Sequence, residues 1–133
     1  MNYNIMTPKE EAIMELLWNN KKPMTIAEIK DVLNGKGWNK STLFNTIQSL
    51  INKKYISVCG VEKSNTQYAR LFEASITKEE YAAILLTNKG IKRKDLVNIV
   101  LAMDGTVKGN KEDNEELILE LESIINHLRG GEL

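Results

Sequence analysis

The side chains best suited to reading another molecule by hydrogen bonds lie in residues 39–54, NKSTLFNTIQSLINKK. Apolar residues recur there at i, i+4, i+7 and i+8, which predicts a helix with one buried stripe. That stripe contains Leu43, Ile47, Leu50 and Ile51. The opposite face bears ammonium, hydroxyl and amide groups, in Lys40, Ser41, Thr42, Asn45, Thr46, Gln48 and Ser49. Such groups bond base edges and phosphates in a DNA major groove, which would repel a carboxylate.

The helix in residues 39–54 must pack against other elements, and capping boxes in the sequence predict where other helices begin. In a capping box, a Thr hydroxyl accepts the backbone N–H of a Glu three residues on, and the Glu carboxylate reaches back. The chain has three, at Thr7–Glu10, Thr25–Glu28 and Thr77–Glu80. They predict helix 1 (about 8–19), helix 2 (about 26–34) and helix 4 (about 78–88).

Helices 2 and 3 are separated by a short turn that contains Gly35 and Gly37. Asn39 is the expected N-cap of helix 3. Two short helices joined by such a turn, the second of them polar and free of carboxylates, predict a helix-turn-helix. Phe44 borders the buried stripe of helix 3, so core packing is expected for it rather than contact with a thymine methyl group.

A change of period after helix 3 predicts a β-hairpin. Residues 55–61 and 67–72 are rich in strand-forming side chains and flank a polar turn at 62–66. A hairpin placed directly after a recognition helix is the wing of a winged helix, and Lys63 and Arg70 in it suit phosphate or minor-groove contacts. Lys53 and Lys54 at the end of helix 3 are further phosphate candidates. A solvated helix end, favoured by the helix dipole, explains those two lysines equally well.

The rest of the chain predicts three helices: helix 4, helix 5 (about 93–103) and helix 6 (about 112–128), with a polar loop at 106–114. A segment this short buries its apolar faces poorly by itself. We therefore expect each protomer's helices to complete the core of the other in a homodimer. The alternative is that helix 6 folds back on the winged helix of its own chain. The expected dimer contacts are Ile84, Leu96, Val100, Leu117, Leu121, Ile124 and Leu128.

The predicted fold is therefore mainly α with a small β-hairpin. A winged helix-turn-helix DNA-binding domain (residues 1–75) is followed by a helical dimerisation domain (76–133). The charge distribution agrees with this division, although 18 Lys and Arg balance 18 Asp and Glu overall. Residues 1–75 hold 10 basic and 7 acidic side chains, and residues 76–133 hold 8 and 11. The zero total thus conceals a basic half suited to nucleic acid and an acidic half.

Several function classes lack the residues that they need. Cys59 and His127 are the single cysteine and histidine, which excludes an intramolecular disulfide and a structural zinc site. A nucleophile–base arrangement and a phosphate-cradling glycine loop are absent, so we expect neither an enzyme nor a cofactor. The longest apolar run, 81–86, is too short to span a bilayer. Glu10 and Glu11 interrupt the N-terminal region, so a signal peptide is not expected and the predicted location is cytoplasmic.

These residues together resemble the penicillinase-repressor (BlaI/MecI/CopY-type) family over about residues 5–75, and in outline over the helical tail. The most specific parts are Trp18 at the end of helix 1, the framework Thr42-x4-Ile47-x2-Leu50, and the exit Lys53-Lys54-x-Ile56. The resemblance implies a homodimeric repressor of transcription that binds a dyad-symmetric double-stranded DNA operator, an inverted repeat. The residues expected to contact DNA are Lys40, Ser41, Thr42, Asn45, Thr46, Ser49, Lys53, Lys54, Lys63 and Arg70.

Two departures from the family concern how repression is relieved. The antibiotic-resistance members are cleaved at an Asn-Phe bond in helix 5, whereas Asn98 here is followed by Ile99. Induction by that cleavage is therefore not expected. The copper-responsive members carry paired Cys-x-Cys motifs near the C-terminus, and the segment from His127 onward has no cysteine. Metal sensing through that site is not expected either.

A rival interpretation is a winged helix that docks proteins and binds no specific DNA sequence. An acidic helical tail on a chain of zero net charge would fit it. Six basic residues and one acidic residue within 36–70, together with the carboxylate-free face of helix 3, favour DNA.

Overall fold

The structure is a computed structural model that describes residues 5–106 and 109–131. The first part of the chain forms α1 (Pro8–Asn19), α2 (Ile26–Leu33), α3 (Lys40–Asn52), β1 (Ile56–Ser64), β2 (Gln67–Ala74) and α4 (Lys78–Asn88). A 3-10 turn (Arg93–Asp95), α5 (Leu96–Thr106) and α6 (Lys111–Leu128) follow. The predicted class, a mainly α winged helix-turn-helix with one antiparallel hairpin, is confirmed.

The helix starts follow the predicted caps. All three Thr–Glu capping boxes form, and the Asn39 side chain accepts the Thr42 N–H at 2.8 Å. A further box, not predicted from the sequence, joins Asn110 and Asp113, so α6 begins at Lys111. The predicted loop 106–114 was therefore too long, because its later residues form the first turn of α6. Positions 107 and 108 of that loop lie outside the described residues.

One apolar core holds α1, α2, α3 and the hairpin together. Of the predicted α3 stripe, Leu43, Ile47 and Leu50 are buried and Ile51 is half-buried. The largest fully buried apolar side chains from the other elements are Ile13, Met14, Ile29 and Phe72. The core therefore fixes which face of α3 is turned outward.

The hairpin has longer strands and a tighter turn than predicted. Glu62 and Lys63 pair with β2, so only Asn65 and Thr66 connect the strands, and Asn65 takes a φ of 57°. Asn tolerates this left-handed conformation better than most residues. Met24 lies alongside β2: its N–H donates to the Phe72 carbonyl at 3.0 Å, and the Phe72 N–H donates back at 2.8 Å. These bonds tie the wing to the segment that leads into α2.

Helix α4 packs into the same core as the winged helix. The Tyr81 ring is buried, its centroid lies 6.2 Å from that of Trp18, and its hydroxyl accepts the Met6 N–H at 2.7 Å. The Trp18 indole N–H in turn donates to the Ile76 carbonyl at 2.8 Å. The first compact unit consequently extends to Gly90, beyond the boundary at 75 expected from the sequence. The second compact unit begins at Ile91.

The Tyr81 hydroxyl provides a test of how firmly α4 is held. Tyr81→Phe leaves the Met6 N–H buried without its acceptor, so we expect the free energy of unfolding to fall by about 1–3 kcal/mol. Tyr68→Phe is the matched control, because Tyr68 is 67% exposed, and it should change stability by less than about 0.5 kcal/mol. Urea denaturation followed by circular dichroism measures both. Equal stability of the two variants would contradict this role of the hydroxyl.

Candidate nucleic-acid interface

The first half of α3 presents the predicted hydrogen-bonding side chains to solvent. Lys40, Ser41 and Asn45 are exposed, and Thr42 and Thr46 are half-buried. The Thr46 hydroxyl donates to the Thr42 carbonyl at 2.7 Å, which leaves its oxygen lone pairs to accept. This surface, defined by these five residues, is called the α3 face below. It contains hydrogen-bond donors and acceptors but no carboxylate. Such groups can bind base edges and phosphates.

Two residues predicted to contact DNA, Ser49 and Lys53, lie instead on the side of α3 turned to α1. Both bind Glu10, whose side chain is 2% exposed. The Lys53 ammonium lies 2.7 Å from Glu10 Oε1, and the Ser49 hydroxyl donates to Glu10 Oε2 at 2.7 Å. Lys53 also donates to the Ile5 carbonyl at 3.3 Å and is 22% exposed. These contacts give both side chains a structural role within the protein.

The Glu10 carboxylate is held in its charged form. Burial by itself would raise the pKa of Glu10, but hydrogen bonds from Lys53, the Thr7 N–H and Ser49 outweigh burial and keep that pKa below its ordinary value. A carboxylate whose oxygens accept from three groups resembles the satisfied buried ion pairs of other proteins. The ionised carboxylate therefore joins the N-terminus of α1 to the C-terminal half of α3.

The wing carries the remaining cationic candidates. Lys63 and Arg70 are exposed. Lys63 pairs with Tyr68 across the strands, so its side chain lies on the same face of the hairpin as those of Arg70 and Phe72. The Lys63 ammonium lies 5.7 Å from the Tyr68 ring centroid, and the Arg70 guanidinium 5.4 Å from the centroid of Phe72. Lys54 is exposed where α3 ends, with a φ of 66°. The structure thus places Lys54, Lys63 and Arg70 in the same compact unit as the α3 face.

Phe44 does not pack in the core, contrary to the expectation from its position beside the apolar stripe. It is 41% exposed and lies next to Lys40, whose ammonium is 5.9 Å from the ring centroid. The physical reason is that Phe44 lines an open groove with Ile26 of α2 and Tyr68 of the wing, so the neighbouring elements do not enclose its ring. Cys59 is also exposed, and it lies at a β-bulge between Val58 and Gly60.

The residues predicted for dimerisation fall into two groups. Ile84 of α4 packs against the core of the first unit. The other six lie in the second unit, where Val100 and Leu121 are half-buried and Leu96, Leu117, Ile124 and Leu128 are exposed. A cleft of about 400 Å³ between α5 and α6 is lined partly by Val100, Leu117 and Leu121. No described residue of 91–131 is fully buried.

A metal site would need a cluster of ligating side chains, and a membrane-spanning segment would need a long apolar helix. Within residues 5–106 and 109–131, no group of three or more His, Cys, Asp or Glu side chains is arranged to hold a metal ion. None of the helices in these ranges has the length and apolar character needed to cross a bilayer.

The Glu10 contacts are the part of the site that sequence reasoning missed. The capping box accounts for Glu10 as a residue of a helix start, whereas its second role depends on residues 39 and 43 positions away. The sequence does contain one signal of this role: the Glu10 carboxylate lies beside the buried residues Ile13 and Met14 of α1, so it needed polar partners inside the protein. Its partners become evident only once α1 and α3 are packed together.

Comparison with known proteins gives one family and several distant structures. A sequence model described as the penicillinase repressor matches residues 6–123. Among proteins of curated function, no sequence matches this chain significantly.

Two solved structures are similar to part or most of the chain. PerR from Streptococcus pyogenes, concerned with peroxide sensing and gene regulation, is 15% identical with a TM-score of 0.42. That match covers 53% of this chain and 47% of PerR, so the chain spans less than half of the PerR length. Staphylococcus aureus MarR in complex with salicylate and kanamycin is 19% identical with a TM-score of 0.43, over 94% of this chain and 75% of that one.

Removal of the Glu10 charge tests the link between α1 and α3. Because the pKa of Glu10 is depressed in the folded state, its stabilising effect is present above its unfolded value, near 4.5, and is lost as the pH falls through the folded pKa. Glu10→Gln should therefore lower the free energy of unfolding by about 1–3 kcal/mol at pH 7. The difference from the native protein should shrink as the pH falls below 4.5. Denaturant titrations at several pH values measure it.

Glu15→Gln is the matched control, since Glu15 forms a surface ion pair with Lys78 at 3.0 Å. Exposed pairs of this kind contribute about 0–1 kcal/mol. A Glu10→Gln protein that is no less stable at pH 7 than Glu15→Gln would contradict the structural role of Glu10.

Proposed function

The chain belongs to the penicillinase repressor family of transcriptional regulators, and we propose that it is a repressor that binds a dyad-symmetric DNA operator as a homodimer. The observation that carries this proposal is the carboxylate-free α3 face on the outer side of a helix whose inner side is buried. A helix with this distribution can enter a major groove without carrying a negative charge toward the phosphates.

Sequence preference would come from the α3 face. Asn45 and Ser41 are exposed side chains that both donate and accept hydrogen bonds, and Lys40 donates near the helix start. A well-placed contact to a base edge contributes about 1–3 kcal/mol of discrimination. The N-cap bond from Thr42 to Asn39 holds the first turn, so these side chains start from a defined backbone.

Affinity would come mainly from phosphate contacts by Lys40, Lys54, Lys63 and Arg70. Neutralising each phosphate releases condensed counterions, so log K falls with log salt by about 0.9 for every contact. Lys53 is left out of this set, because its ammonium already binds Glu10 and the Ile5 carbonyl. Two of the four cations lie on the wing, which would reach the backbone beside the groove that α3 occupies.

Homodimerisation is supported by the apolar surface of the second unit. Large apolar side chains are exposed along both of its helices, namely Leu96, Val97, Leu101, Met103, Leu117, Ile118, Leu119, Ile124, Ile125 and Leu128. So large an apolar exposure is typical of a surface that a partner covers. A two-fold dimer would set its α3 helices about 34 Å apart, in successive major grooves, and the operator would be an inverted repeat. Such a protein would act in the cytoplasm.

The second candidate function is a protein-docking winged helix. The observation that favours it is the acidic first turn of α6, with Glu112 and Asp113, next to the exposed apolar helices. A docking domain would bind random DNA weakly and would enrich no sequence. It would also lack the steep dependence on salt that phosphate contacts cause.

The experiment that tests the proposal selects duplexes from a random pool with the purified protein, then measures affinity for the best duplex across a salt series. We expect an enriched inverted repeat, bound by two protomers, with a steep salt slope. Weak binding and no enriched motif would favour the docking function.

Arg70 tests the phosphate contacts. Arg70→Ala should weaken binding to operator and random duplexes alike and lower the salt slope by about 0.9 for each phosphate that Arg70 neutralises. Fluorescence anisotropy titrations at several salt concentrations measure both quantities. Lys78→Ala removes the same charge from α4, where Lys78 pairs with Glu15, and should leave the slope unchanged. Equal slopes for Arg70→Ala and the native protein would remove Arg70 from the set.

Leu121 tests the dimer contact. Leu121→Asp places a carboxylate beside the cleft between α5 and α6, so we expect monomers that bind the operator weakly, because an unpaired charge in an apolar contact is costly. Ser123→Asp is the control: Ser123 is an exposed polar residue two positions away, on the opposite side of α6 and outside the apolar surface, and this variant should stay dimeric. Light scattering gives the mass of each variant. A fully dimeric Leu121→Asp would exclude this face as the interface.

A further inference from the structure

A groove of about 220 Å³ opens between α3, the start of α2 and the wing. Its walls are formed by Ile26 and Ala27 of α2, Phe44 of α3, and Tyr68, Ala69, Arg70 and Phe72 of the wing. Building on the proposed function, we propose that Phe44 determines specificity by contacting the C5-methyl group of one thymine in each operator half-site.

The position of Phe44 on α3 is the first argument. Residues three and four apart share a helix face, so Phe44 neighbours Lys40 and Ser41 on one side and Gln48 on the other. Ser41 and Gln48 are exposed polar residues at the centre of the outer surface of α3. A helix that presents Ser41 to base edges therefore brings the Phe44 ring to the same groove. Phe44 is the large apolar side chain on that surface.

The charges around the groove are the second argument. Lys40 lies beside Phe44, Lys63 beside Tyr68 and Arg70 beside Phe72, each cation within 6 Å of its ring centroid. The groove-lining residues include a guanidinium and no carboxylate. An apolar floor with a cationic rim matches one DNA strand seen from the major groove, where phosphates flank the bases.

The chemistry of the bases singles out thymine. The C5-methyl group of thymine is the apolar group that the major groove exposes, and cytosine and uracil lack it. Contact with an aromatic ring removes that methyl group from water. The transfer of one buried CH₂ or CH₃ group corresponds to about a fourfold change in affinity. Preference for thymine over uracil at one position is therefore the expected signature of Phe44.

The test uses the full-length protein and the operator selected above. Each thymine of the operator is replaced in turn by uracil, which removes the methyl group and leaves the hydrogen-bonding edge intact. The native protein should lose about fourfold in affinity at one position of each half-site. Phe44→Ala should bind thymine and uracil equally at that position. Phe44→Leu should keep part of the preference, because it keeps an apolar side chain.

Val32→Ala is the matched control, since Val32 is an exposed apolar residue on α2 and outside the groove. It should retain the native pattern of thymine preference. Thermal unfolding shows whether Phe44→Ala is folded. If Phe44→Ala is unfolded, Phe44→Leu is tested in its place, and its preference for thymine should be smaller than that of the native protein. A native protein indifferent to every uracil substitution, or a Phe44→Ala protein with the native pattern, would overturn the proposal while operator binding still stands. Failure to select any operator would overturn the proposed function as well.

Discussion

The buried carboxylate of Glu10 adds a specific polar link between α1 and α3 to the apolar core that orients α3. One oxygen of this side chain closes the cap at Thr7 and binds Lys53, and the other accepts from Ser49. A buried charge is tolerated only while its hydrogen bonds are complete. A shift of α1 against α3 that kept the carboxylate buried without Lys53 and Ser49 would be costly, so the ion pair favours one arrangement of the two helices. This arrangement turns Ser49 and Lys53 inward and the α3 face outward.

The two compact units differ in how far they bury their apolar side chains. The first unit buries aliphatic and aromatic side chains from every helix and from the wing, with Phe72 and Ile13 wholly enclosed. The second leaves Leu101, Leu119 and Leu128 largely in solvent. A unit of two helices cannot enclose both apolar faces by itself. If the second unit assembles two protomers, operator binding gains from the pairing of two α3 helices on one duplex, and assembly and DNA affinity are thermodynamically linked.

Local signals in the sequence predicted most of the helices. A capping box involves groups three residues apart, so Thr7, Thr25 and Thr77 could be identified as helix starts without any tertiary information. Strand ends were harder, because Glu62 and Lys63 are polar in sequence and yet pair in the hairpin. Periodicity assigned a side of α3 to Leu43 and Ile47 correctly. It could not place a residue at the edge of the stripe, such as Phe44, because the depth of the core there depends on neighbouring elements.

The sequence by itself determined the family, the order of elements and the chemical character of the α3 face, because each depends on residue types at short, regular spacings. The tertiary structure decided which of the candidate side chains are available. Ser49 and Lys53 bind Glu10, Phe44 is exposed beside the wing, and α4 joins the first unit through Tyr81. These outcomes depend on contacts between residues far apart in the chain, whose free energies are set only when the helices pack.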